Sequence, residues 1–331
     1  MKIDIDLLKK ICLTYGPTGH EGKINQVIAD YVKPYADDIR TDTMGNLIVH
    51  KKGTGPKMML AGHMDQIGFM VTHIDDKGFI RFSDVGGFDP FILVSRRVVF
   101  ENGMQGIIRA DRLEDFKAGF KRSLLYIDIG ARCGDSAKEK VKVGDVAIYS
   151  ADFYADDDKI MTPYLDDRVG CYIMLEVLKQ VKAPKFDCYY VFTVQEEVGL
   201  RGAKTSAFHV DPDYGLAFDV GPSYDTPGAL KYPSKMGGGA CISIKDGTII
   251  GQQKMTDYLV KIAEDNDIPY QFGIFDRGGT DAGAIHLNKS GVLTGCICVP
   301  TRYTHSDGEM CLMSDIAECI RLTSKVLETG I

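Results

Sequence analysis

Apolar positions recur at helical spacing over residues 4–14 until Gly16-Pro17 stops the pattern, and a second helix is predicted from about Glu21 to Val32. The period then changes. "GNLIVHKKG" (45–53) and "KMMLAGHMD" (57–65) read as strands, the second almost wholly apolar, as expected of a strand covered on both faces. From Ile67 to about Pro163 the texture differs: short alternating segments ("GFMVTHI", "GFIRF", "RRVVF", "GIIRA", "DVAIYS") are cut by Gly- and Asp-rich turns, which predicts a small β-barrel or sandwich.

Beyond that block the α/β rhythm returns. A helix is predicted from near Asp166, with Ile173, Met174, Val177, Leu178 and Val181 on one face. The segments "CYYVFTV" (188–194), "YGLAFDV" (214–220), "GACISI" (239–244) and "VLTGCICVP" (292–300) read as strands, and helices are predicted near 201–208, 251–265 and 281–287 and from about Ser314. Strands alternating with helices predict an α/β fold: a mixed, mostly parallel sheet with helices on both faces. The expected division is a host domain of residues 1–67 and 164–331, with 68–163 inserted as a β-rich domain. No low-complexity linker joins them, so the insertion is expected to dock on its host.

Charge and composition narrow the partners. Thirty-nine basic and 46 acidic residues give a net charge of -7, and no basic run could follow a phosphate backbone, which argues against nucleic acid. No stretch approaches the roughly 20 apolar residues of a membrane span, and "MKIDIDLLKK" lacks a signal-peptide h-region, so a cytoplasmic location is expected. Nine scattered cysteines, of which only Cys296 and Cys298 are close, resemble neither a disulfide framework nor a paired-CxxC zinc site. They read as reduced core thiols.

Open α/β sheets place ligands at the carboxyl ends of their strands, and here those ends share one chemical character. The predicted strands run into His63 and Asp65, into Glu196 and Glu197, into Asp219 and towards His305, while Asp166 and Asp167 open a helix. The adjacent Glu196 and Glu197 would repel one another on burial unless a cation or proton lay between them. Imidazole and carboxylate donors suit zinc or a similar divalent ion, and one ion would leave too many carboxylates unpaired. Two divalent ions account for the number: one bridging Asp, with a His and a carboxylate at each ion, and a shared water acidified to a hydroxide nucleophile. One of the two glutamates then binds an ion and the other serves as general base. Asp65, two residues beyond His63, is expected on the same side of the strand, where it can accept a hydrogen bond from the imidazole nitrogen facing away from the metal.

These residues resemble the dinuclear metalloaminopeptidases, a family that includes glutamyl and deblocking aminopeptidases and tetrahedral (TET-type) peptidases, with some members labelled endoglucanase. The resemblance rests on "GHMDQIGFMV" (62–71), "LDDRVG" (165–170), "VQEEVGLRGA" (194–203), "AFDVG" (217–221), "GGTDAGAI" (278–285) and "PTRYTHS" (300–306), in that order and with a β-rich insertion after the first. It implies His63 and Asp219 on one metal, Glu197 and His305 on the other, and Asp166 bridging both. It further implies Glu196 as general base, Asp65 as supporter of His63, and two ions, zinc or cobalt. Hydrolysis of the N-terminal peptide bond of short peptides is the implied activity. A homo-oligomer built through the insertion, with a dodecamer as one form, is the implied assembly.

One position departs from the family pattern: Gln66 follows Asp65 where relatives commonly have Glu. A neutral isostere is tolerated if the position only holds the loop; if its charge tunes the site, metal affinity or pH optimum shifts. Arg277 and Arg302 are candidates for binding a substrate carboxylate or, equally, for structural ion pairs. The "GGTDAGA" turn is a candidate for backbone approach to the substrate. His20, His50, His73, His209 and His286 have no ligand-like company and read as structural. Two competitors stand beside the aminopeptidase: a glycoside hydrolase using the carboxylate pair, whose chemistry needs separated carboxylates and no metal cluster, and a catalytically silent metal-binding scaffold.

Overall fold

The computed structural model describes residues 2–111 and 122–331. Helices α1 (Ile5–Leu13) and α2 (Gly22–Val32) precede strands β1 (Asp38–Thr41), β2 (Leu47–Lys51) and β3 (Lys57–His63). Six short strands follow: β4 (Gly68–Ile74), β5 (Ile80–Val85), β6 (Arg97–Phe100), β7 (Gln105–Ala110), β8 (Leu125–Asp128) and, after helix α3 (Gly134–Lys138), β9 (Val146–Tyr149). They close into a barrel in the order β4-β5-β8-β7-β6-β9, so the alternating segments of the sequence form a barrel rather than a sandwich. Residues 112–121 of the predicted insertion lie outside the described residues.

Strands β10 (Tyr154–Ala155) and β11 (Lys159–Thr162) lead to helix α4 (Leu165–Gln180), strand β12 (Asp187–Thr193), helix α5 (Arg201–Val210) and strands β13 (Tyr214–Pro222) and β14 (Ala240–Lys245). Helix α6 (Gln253–Asp265), strand β15 (Tyr270–Ile274), helix α7 (Ala282–Ile285), strands β16 (Leu293–Thr301) and β17 (Glu309–Leu312) and helix α8 (Met313–Thr329) complete the chain. The principal sheet has eight strands in the order β1-β2-β12-β3-β13-β16-β14-β15. Its central pairings β12–β3, β3–β13 and β13–β16 are parallel, as is β14–β15, whereas β1–β2, β2–β12 and β14–β16 are antiparallel. This is the predicted α/β architecture, mixed and mostly parallel.

Alternation along the buried strands divides the core between two faces. Met58 and Leu60 of β3 join the layer of α1, α2, α4, α6 and α8, while Met59 and Ala61 face Ala203 and Ala207 of α5 and Ile285 of α7. The barrel has its own apolar interior around Phe69, Ile80, Val98, Ile108 and Ile127. Not predicted are β1 ("DIRT"), whose single apolar residue gives no alternation, β8 ("LYID"), β15 ("YQFGI") and the short strands β10, β11 and β17, the last three forming a separate antiparallel sheet. Helix α7 is a single turn instead of the predicted 281–287; beyond Ile285 the chain tightens, with the N–H of Asn288 bonding to the Ile285 carbonyl three residues back.

The parallel register brings the carboxyl ends of the central strands into line. Thr193 of β12 stands opposite His63 of β3, and the chain leaving β12 turns at once towards the site. Gly202 allows that turn: a Cβ there would lie 2.3 Å from Asn46 Oδ1 and 2.4 Å from the carbonyl of Val194, so only glycine lets α5 start against the strand end.

Candidate metal centre and active site

His63, Asp65, Asp166, Glu196, Glu197, Asp219 and His305 meet at one place, above the carboxyl ends of β3, β12 and β13. Asp166 stands at the centre. Its Oδ1 lies 3.0 Å from His63 Nε2 and its Oδ2 lies 3.2 Å from His305 Nε2, so its two oxygens face the two imidazoles. Potential ligand atoms of His63, Asp166 and Asp219 fall within 4.8 Å of one another, and so do those of Asp166, Glu197 and His305. Two donor sets therefore share one carboxylate. Glu196 belongs to neither, although its Oε2 is 3.8 Å from His63 Nε2.

Local structure sets these positions. Asp166 and Asp167, joined by a cis peptide bond, depart from helical φ/ψ inside the first turn of α4. The helix proper begins after them, which frees Asp166 to point into the site. Asp167 turns back, accepting hydrogen bonds from the backbone N–H of His63 (3.2 Å) and of Gly170 (2.9 Å). The pair Glu196-Glu197 lies on a turn after β12, entered through Gln195 in the left-handed region at φ 56, not on the extended strand end that the sequence suggests.

Asp65 also lies beyond its strand, since β3 ends at His63; a shared strand face is therefore not what brings the two together. His63 Nδ1 is 3.3 Å from the Asp65 carbonyl oxygen and 3.5 Å from Asp65 Oδ1. The Asp65 carboxylate is fully buried and accepts from Thr18 Oγ1 (2.7 Å), the Glu196 N–H (3.0 Å) and the Glu197 N–H (3.3 Å). One carboxylate thus holds the first imidazole and the turn carrying both glutamates.

The electrostatics describe a site with more carboxylates than cations. Burial pushes the Glu196 and Asp219 carboxyls well above the ordinary range, reinforced by Glu197 beside Glu196 and by Asp166 beside Asp219. Burial likewise raises Glu197 to about 7. Asp166 is held low because its hydrogen bonds to His305 and His63 outweigh its burial. Both imidazoles are held well above their usual value, since the surrounding carboxylates outweigh burial. Glu197 Oε1 is buried with no hydrogen-bond partner among the described residues. Buried carboxylates in excess, an orphaned oxygen and two imidazoles facing one carboxylate are the donor chemistry of divalent-cation sites, and these residues fit such ions.

A cavity of about 690 Å³ opens onto this cluster, bounded on its apolar side by Phe88, Leu200, Val220 and Phe275. The "GGTDAGA" turn borders it through Gly278, Gly279 and Thr280. Arg302 is taken up by Asp225, with Nε to Oδ1 at 2.8 Å and Nη2 to Oδ2 at 2.7 Å. Arg277 borders the cavity and makes no hydrogen bond or ion pair among the described residues. Gln66 accepts from the Gly16 N–H (2.8 Å) through its side-chain oxygen and donates to the Cys12 carbonyl (3.4 Å) through its amide. It pins the N-terminal segment to the loop, and a glutamate could not make the second of these bonds.

Two buried acids escaped sequence reasoning. Asp281 accepts from Thr193 Oγ1 (2.5 Å), and burial raises it to about 6. Glu309 accepts from the backbone N–H of both His305 and Asp166, and is raised to about 8 by burial and by the charge of Asp166. For Glu309 the only available signal was an acid opening the otherwise apolar "EMCLM" run.

An α/β sheet whose strand ends gather two acid-imidazole donor sets around a shared carboxylate defines the class: a metal-dependent hydrolase. The model of the M42 glutamyl aminopeptidase family matches residues 45–322, and the chain belongs to that family. An Acetivibrio thermocellus protein provisionally named aminopeptidase is 45% identical over 318 residues, covering 96% of each chain. An aminopeptidase structure from the archaeon Desulfurococcus kamchatkensis superposes with a TM-score of 0.94 at 36% identity, covering 98% of this chain and 94% of that one. The Pyrococcus horikoshii TET1 peptidase, which can assemble into a tetrahedron or a large octahedral shell, superposes with a TM-score of 0.89 at 34% identity, covering 98% and 99%.

Proposed function

We propose that this metal-dependent aminopeptidase hydrolyses the N-terminal peptide bond of short peptides with two divalent ions. His63, Asp166 and Asp219 would hold one ion, and Asp166, Glu197 and His305 the other. The observation that carries this reading is the pair of donor sets sharing Asp166. Imidazole nitrogen with carboxylate oxygen suits zinc or cobalt. When bound, such a pair supplies Lewis acidity to the scissile carbonyl and lowers the pKa of an adjacent water.

The remaining work falls to side chains. Glu196, outside both donor sets, takes the proton of the attacking water and returns it to the leaving amine. Asp65 fixes the tautomer and direction of His63 and steadies the turn that presents Glu196. Purified protein is expected to release free amino acids from short peptides, to lose that activity on exhaustive chelation and to regain it with zinc or cobalt. Cellulose offered in parallel should remain intact. Full activity after chelation, or hydrolysis of cellulose alone, would refute the reading.

Arg277 gives the cavity an uncommitted cation suited to the carboxylate of an acidic N-terminal residue. Arg277→Ala is expected to raise KM for peptides beginning with Glu or Asp roughly fivefold, the size of a ~1 kcal/mol exposed charge pair. KM for peptides beginning with Leu should stay unchanged; an equal rise for both would remove Arg277 from recognition.

We further propose residues 1–67 and 164–331 as the catalytic domain and 68–163 as the element through which copies assemble, in the cytoplasm, into a homo-oligomer such as a dodecamer. The barrel is closed, so contact would use side-chain faces rather than free strand edges; Phe91 and Val143 are exposed apolar groups on this insertion. Sedimentation at micromolar concentration should show the oligomer, and a monomer alone would reject it.

A further inference from the structure

Glu309 opens β17, in the small sheet outside the principal one, opposite Thr162 of β11. Its side chain is 1% exposed, and both oxygens are spent on backbone: Oε1 accepts from His305 N–H at 2.7 Å and Oε2 from Asp166 N–H at 3.0 Å. Neither donor sits in regular structure. His305 is in the left-handed region at φ 63, a conformation disfavoured for an L-residue. Asp166 sits at the non-helical start of α4 with ψ 111. Two converging N–H donors explain why a buried acid occupies this position: a carboxylate offers an acceptor on each oxygen, whereas an amide offers one acceptor and one donor.

We propose that Glu309 is the positioning residue of the second donor set: by clamping the backbones of Asp166 and His305 it fixes their separation and so the affinity of the Asp166–Glu197–His305 site, touching neither ion nor substrate. The proposal rests on the two-ion reading above. The first set has separate supports, since His63 is held through its N–H by Asp167 and through its ring by Asp65. His305 has two other anchors: its Nδ1 lies 2.7 Å from the Gly87 carbonyl oxygen, which directs the ring, and the Tyr149 hydroxyl donates a long bond (3.4 Å) to its backbone carbonyl, leaving Glu309 as the partner of its N–H. Asp166 belongs to both sets, so loss of Glu309 touches both, but the second set loses the hold on two of its three residues and the first on one, and the second site weakens more.

Calorimetric titration of the full-length ion-free protein with zinc, alongside cobalt absorption spectra, tests this. The parent is expected to bind two ions per chain. Glu309→Gln should bind one ion roughly 10- to 100-fold more weakly, the usual cost of removing a support behind a metal ligand, and the other with a clearly smaller loss. Glu309→Asp keeps the charge and both acceptors but retracts them by one methylene. It should show the same unequal loss and decides the matter if the Gln variant does not fold. Thr162→Val, which removes a neighbouring buried hydroxyl with no hydrogen-bond partner among the described residues, should leave both affinities unchanged. Parental affinity at both sites in the Glu309 variants, or equal weakening at both, overturns the proposal. A parent that binds fewer than two ions overturns the two-ion reading itself.

Discussion

Glu196→Gln should lower kcat by roughly 10²–10⁴, the range for removing a general base, while the protein keeps its full complement of ions. The substitution preserves volume and hydrogen-bonding shape but leaves nothing able to accept a proton. Glu196 lies outside both donor sets, so ion content should not change. The environment suits the role: burial, Glu197 and Asp281 lift its carboxyl well above the ordinary range, against the lowering influence of His63. A carboxyl raised in this way is a stronger base than an ordinary glutamate. Rates and ion content must be measured on the same preparation. A variant retaining more than a tenth of the parental kcat would show that Glu196 is not the base, and a variant that loses ions would show that it is a ligand.

The same geometry shows why part of this site could be read from sequence and part could not. His63 and Asp219 lie on parallel strands, and Glu196, Glu197 and His305 closely follow others, so the rule that ligands gather at carboxyl ends finds them from periodicity alone. The rule says nothing about supports. Asp65 was found for an incomplete reason: it lies past the end of β3, and its hold on the Glu196-Glu197 turn depends on tertiary placement that periodicity cannot encode. Glu309 stands on a four-residue strand whose partner, β11, is 147 residues earlier at the paired position Thr162. Asp281 lies in a glycine-rich turn, and only tertiary placement brings its carboxylate to Thr193. Arg277 and Arg302 were indistinguishable as residues; Asp225, far away in sequence, separates them.

Such a concentration of buried acids should also make the ion-free protein respond to pH in an unusual direction. Asp281, Glu197 and Glu309 are held at about 6, about 7 and about 8, against ordinary values of 3.8 for Asp and 4.5 for Glu. Between roughly pH 4.5 and 8 the folded chain therefore keeps protons that the unfolded chain has released, and stability falls as pH rises. His63 and His305 add to this trend. Their raised values give stabilisation that is complete below the ordinary 6.5 and lost as pH rises through the folded values. Asp65 and Asp166, held low, act in the opposite sense, but their contribution is already complete above 3.8 and does not oppose the trend in this window. Bound divalent ions replace those protons, and their affinity grows as the ligands deprotonate. The melting temperature of chelated protein should thus fall from pH 5 to pH 8, while that of reloaded protein does not follow it. At pH 8, free ion at a hundred times its Kd adds about 2.7 kcal/mol per independent site, on the order of 5 °C for a chain of this size. Thermal scans of chelated and reloaded protein across this range check the result, and a flat or rising profile for the chelated protein would contradict it.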